Sequence, residues 1–113
     1  TLDLKKCNEC MKDFNTVYRV LDDLPQKIGM KKLLPPIFVN YKGDPKTFDR
    51  DGGFSGFTMI STSHISMHCF NTTGNISIDV FSCKNFDKNK VLEVFLKAFK
   101  PENYEMQLIE RKI

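Results

Sequence analysis

Three runs in the middle of the chain alternate apolar and polar residues, at 55–61, 64–70 and 75–82. A period of two sends successive side chains to opposite faces of a pleated backbone, so each run predicts a half-buried strand. In the second run Ile65, Met67 and Cys69 share one face, and His64, Ser66, His68 and Phe70 the other. In the third, Ile76, Ile78 and Val80 oppose Ser77, Asp79, Phe81 and Cys83. The first two runs meet at a tight Thr62-Ser63 connection. The last two meet at Asn71-Thr72-Thr73-Gly74, where Gly74 can supply the positive φ of a hairpin loop.

Toward the ends of the chain the period lengthens. Phe14, Val17, Tyr18 and Leu21 recur at three and four residues, which predicts an amphipathic helix over about Glu9 to Asp22. Pro25 lacks an amide proton, so a break near Asp22-Asp23 and a short second turn through Ile28 are expected. A second helix opens at Asp87, carries Val91, Leu92, Phe95, Leu96 and Phe99 as its stripe, and is stopped by Pro101. Short strands are expected at 37–42, after Pro35-Pro36, and at 104–112; residues 1–6 read as an edge strand. Between 43 and 53 the sequence GDPKTFDRDGG has the chemistry of a loop, placed to wall a pocket. Strands with two helices on one face predict an α+β two-layer sandwich, one domain over 1–113.

Composition narrows the function. At 113 residues, 41% apolar with ten Phe, the chain can bury a real core. Its net charge of +3 comes from lysines interleaved with acids, which argues against a nucleic-acid partner. No apolar run is long enough for a bilayer span, and TLDLKKCNEC lacks the features of a secretory signal, so a cytoplasmic protein without a membrane partner is expected. Cys7, Cys10, Cys69 and Cys83 are therefore read as reduced thiols. Cys7-Asn-Glu-Cys10 is half of a zinc motif without a second half, and no metal is expected.

The chemistry concentrates between Ser55 and Cys83. The stretch S-G-x-x-x-I-S-x-S-H-I-S-x-H from Ser55 to His68, followed by I-D-V-F-S-C at 78–83, resembles the small prokaryotic S-adenosylmethionine decarboxylases. These are self-processing, pyruvoyl-dependent enzymes of polyamine (spermidine) synthesis. The resemblance implies that the Ser63 hydroxyl attacks the Thr62 carbonyl, cutting the chain between the two. It implies a pyruvoyl group derived from Ser63, which would form a Schiff base with a substrate amine. Ser55 and His68 match the residues that assist processing, and Cys83 matches the proton donor. Substrate contacts fall on Phe48, Ile65 and Thr72. The family's usual glutamate before the serine is Thr62 here, its ribose-binding glutamate is Thr72, and its stacking aromatic falls on Asp49. These departures leave open another substrate, such as arginine or ornithine, or an uncut, silent paralogue serving as partner subunit. The resemblance also implies a homodimer whose pocket draws on both subunits.

Overall fold

The computed structural model describes residues 1–46 and 51–112. Six strands form one antiparallel sheet: β1 (Leu2–Lys5), β2 (Ile37–Tyr41), β3 (Gly53–Ile60), β4 (Ser63–Phe70), β5 (Asn75–Phe81) and β6 (Asn103–Met106). Helices α1 (Phe14–Lys27) and α2 (Lys88–Phe99) complete the α+β sandwich. The strand order is β2-β3-β4-β5-β1-β6.

The predicted alternation of β4 and β5 decides which face is covered. Ile65, Met67, Cys69, Ile76 and Ile78 are buried, with Leu2 and Leu4 of β1 beside them. Val17, Leu21 and Leu24 of α1 and Val91, Phe95 and Phe99 of α2 complete the same core. The register places Ile65 opposite Thr58 and Val80, and His68 opposite Ser55 and Ser77. Every residue facing as His68 does therefore lies on the sheet's other face, away from this core.

Four expectations change. First, β1 is interior, hydrogen-bonded between β5 and β6, and the edges are β2 and β6. Its two alternating leucines are compatible with either place, and the long-range pairing Leu2–Ile78 and Leu4–Ile76 decides. Second, Glu9–Lys12 is a separate 3-10 turn, and α1 starts after Asp13, whose carboxylate accepts from the Thr16 amide. Third, α1 does not break at Asp22-Asp23 but runs through Pro25 to Lys27. Pro25 falls in the last turn, where one ladder bond is forfeited and the ring is buried. Fourth, β6 ends at Met106, because its partner β1 offers only four residues.

The predicted hairpin at 71–74 is present, with Gly74 at φ 76°. Gly53 opens β3 at φ 154°, where a Cβ would collide with the Cys69 carbonyl oxygen. Only glycine lets these backbones approach.

Candidate active site

Strands β3 and β4 are joined by Ser61 and Thr62, so the tight connection lies one residue earlier than its predicted place, and Ser63 is the first residue of β4, opposite Ile60. Thr62 adopts φ 57°. A β-branched side chain in the left-handed region is strained, at a cost of about 1–3 kcal/mol. The strained residue is the one whose carbonyl precedes Ser63.

Ser63 is 6% exposed and faces the core side of the sheet. Beyond the end of β5, the chain brings Cys83 against it. The Cys83 amide donates to Ser63 Oγ at 3.0 Å, and Cys83 Sγ donates to the Thr62 carbonyl oxygen at 3.2 Å. A hydroxyl, its preceding carbonyl and a thiol proton thus meet at one peptide bond. The arrangement can polarise that carbonyl while keeping the hydroxyl beside it.

Ser55 and His68 form a second cluster. They are direct cross-strand partners, and His68 Nδ1 lies 2.8 Å from Ser55 Oγ. His68 lies five positions along β4 from Ser63, about 16 Å at roughly 3.3 Å per residue. The odd spacing also sends the two side chains to opposite faces. One chain alone therefore does not bring Ser55 and His68 to Ser63, although the sequence motif groups them. Around this pair the open face is apolar: Ile37, Val39, Tyr41, Phe57 and Met59 are each at least 40% exposed.

The expected substrate contacts are scattered. Phe48 lies outside the described residues, as does Asp49. Ile65 is fully buried in the core, in a strand paired on both sides, and offers no surface to a ligand. Thr72 is exposed on the 71–74 hairpin, and its amide donates to Asp51 Oδ1 at 2.8 Å. The Thr73 amide and hydroxyl each reach Asp51 Oδ2 at 3.2 Å. Partial burial raises the Asp51 pKa, but these hydrogen bonds outweigh it and hold the carboxyl below its usual range. Sequence reasoning passed over Asp51, because only a loop docking across 21 residues reveals its partners.

Cys7 packs against the core, and burial pushes its thiol up to about 11. Burial, with Cys7 nearby, pushes Cys69 to about 12. Cys10 and Cys83 are exposed. Among the described residues, no three His, Cys, Asp or Glu side chains gather to hold a metal, and no helix is long and apolar enough to cross a membrane.

Known proteins match this chain at both levels. The family model for S-adenosylmethionine decarboxylase matches residues 1–112. An S-adenosylmethionine decarboxylase proenzyme from Archaeoglobus fulgidus is 35% identical over 60 residues, covering 52% of this chain and 54% of the relative. One from Clostridium botulinum is 39% identical over 61 residues, covering 53% and 48%. The chain spans about half the length of the curated relatives it matches. The crystal structure of an adenosylmethionine decarboxylase from Aquifex aeolicus shares the fold, with a TM-score of 0.79 at 18% identity, over 99% of this chain and 87% of that one. With the family model matched along all but the last residue, the chain belongs to the S-adenosylmethionine decarboxylase family.

Proposed function

We propose that this chain is the proenzyme of a pyruvoyl-dependent decarboxylase that cuts itself between Thr62 and Ser63. The observation that carries the reading is the meeting of the Ser63 hydroxyl, the Thr62 carbonyl and the Cys83 thiol. Ser63 Oγ adds to the Thr62 carbonyl carbon, and the Cys83 S–H steadies the developing negative charge on its oxygen. Collapse breaks the C–N bond and leaves an ester. Removal of the Ser63 α-proton then expels the Thr62 carboxylate; water adds to the resulting imine carbon and ammonia leaves, so the ketone oxygen at residue 63 comes from water. The strain at Thr62 lowers the cost of leaving the planar amide.

The residues fit the group. Residue 63 starts a strand, so a new terminus there stays anchored by the ladder to β3 and β5, with the Cys83 thiol beside it. A pyruvoyl ketone supplies an electrophile for a substrate amine and takes up the electron pair released with carbon dioxide. Cys83 Sγ lies against the Thr62 carbonyl at that end of the sheet, the place from which a donor would serve.

Ser55 and His68 serve from a second copy. The five exposed apolar residues on the open face favour face-to-face pairing of two sheets, which buries them. Because Ser63 faces the core, the partner's hydrogen-bonded His68 serves as base for the Ser63 proton in this proposal only by reaching past the end of the β3–β4 hairpin, not through the paired faces themselves. S-adenosylmethionine is the nominal substrate, which places the protein in spermidine synthesis. Thr72 cannot provide a carboxylate for the ribose; the nearest carboxylate, Asp51, is already engaged by Thr72 and Thr73.

Intact mass after denaturation tests the proposal. The expected result is two fragments, 1–62 and 63–113, the second blocked to Edman degradation and reactive toward a carbonyl reagent. A chain that stays whole, and releases no carbon dioxide from S-adenosylmethionine, arginine or ornithine, is a silent subunit instead.

A further inference from the structure

Residues 29–33 leave α1 at a left-handed Gly29, φ 74°, and touch two places. On one side they hold the hairpin that ends in Thr62: the Ser61 amide donates to the Lys31 carbonyl at 3.2 Å, and the Leu33 amide to the Met59 carbonyl at 2.9 Å. On the other side they hold the neighbours of Cys83. Lys84 Nζ donates to the Gly29 carbonyl at 2.9 Å, and Ser82 Oγ lies 3.7 Å from Met30 Sδ. The Ser82 hydroxyl also donates to the Lys84 carbonyl at 2.7 Å and accepts from the Lys84 amide at 3.1 Å, closing a tight loop around Cys83. Lys32 pairs with Asp22 and so ties the segment back to α1.

We propose that Ser82 and Lys84 are positioning residues that keep the Cys83 thiol on the Thr62 carbonyl by fastening residues 82–84 to the segment that holds the turn. The inference rests on Thr62–Ser63 being the bond that is cut. Cys83 lies beyond the last residue of β5, so no strand ladder fixes it. A thiol is a weak donor and cannot hold a loop by itself. The Gly29 carbonyl, just past the end of α1, is an acceptor that the Lys84 ammonium group meets at 2.9 Å. Lysine also has the reach and the spare donors to find it.

The test uses the uncut Ser63→Ala protein and reads iodoacetamide alkylation of Cys83 by peptide mass, with exposed Cys10 as internal reference. Lys84→Met and Ser82→Ala are each expected to raise the Cys83 to Cys10 rate ratio about fivefold, the factor for losing one net hydrogen bond. Lys84→Arg is expected to restore it. With Ser63 present, Lys84→Met is expected to slow cleavage by a similar factor. An unchanged ratio in both variants overturns the positioning role, even if the parent chain cuts itself normally. A parent chain that never cuts overturns the cleavage reading instead, whatever the ratio shows.

Discussion

The Cys83 thiol donates to the Thr62 carbonyl oxygen at 3.2 Å, although the two residues are 21 positions apart. Under the proposed self-cleavage, that contact would give the thiol a part in the cut as well as in later proton delivery. Replacing Cys83 by Ala removes a weak donor to a developing oxyanion, and cleavage is expected to slow about tenfold without stopping. Cys83→Ser, which keeps a donor, is expected to cut faster than the Ala variant and still turn over slowly. A gel time course checks this; cutting at the parental rate in the Ala variant would remove the thiol from processing.

Thr62 sits at φ 57° directly before the bond in question. Thr62→Gly removes the left-handed penalty, so the uncut protein is expected to gain about 1 kcal/mol against denaturant. The same change is expected to slow cleavage several-fold, because the strain no longer favours leaving the amide. The measurement pairs a denaturation curve in the Ser63→Ala background with a cleavage time course. Faster cutting in the glycine variant would contradict the role given to strain.

If His68 acts across a subunit boundary, two inactive chains repair each other. Ser63→Ala and His68→Ala are each expected to stay whole when alone. Co-expressed at equal amounts, about half of the His68→Ala chains fall in mixed pairs and are expected to cut. Isotope-labelled chains separated by mass show which chain was cut. No cutting in the mixture would confine the two residues to separate roles.

Asp51 ties the long loop to the hairpin at 71–74 through three hydrogen bonds. Its folded pKa lies below its unfolded value, so its contribution is present above the unfolded value and is lost as pH falls through the folded one. Asp51→Asn is expected to cost about 1 kcal/mol at pH 7. The gap from the parent protein is expected to close below about pH 4, near the ordinary carboxylate value. Urea titrations at the two pH values check it, and a gap independent of pH would show that the charge does nothing.

The four thiols divide by burial. Iodoacetamide at neutral pH is expected to label exposed Cys10 and Cys83. Cys7 and Cys69, raised to about 11 and about 12, are expected to react only after unfolding. Labelling of Cys69 in the folded state would mean that the sheet opens locally.

The elements themselves were legible because backbone geometry imposes their periods. Ile65-Met67-Cys69 and Ile76-Ile78 announce pleated strands, and Val91-Phe95-Phe99 announces a helical stripe, whatever they pack against. The Ser63 and Cys83 pair was legible only through resemblance, and the separation of His68 from Ser63 was legible in principle, since an odd spacing on a strand means opposite faces. What the chain order could not reveal is which elements become neighbours. The leucines of β1 suit an edge or an interior strand equally, and burial against β5 and β6 chose the interior. Asp51 looks like any loop acid until the fold lays it on the Thr72 amide. Local patterns follow from the stereochemistry of a few consecutive residues. Long-range partners follow from which faces must leave water together, and only the assembled sheet and helices decide that.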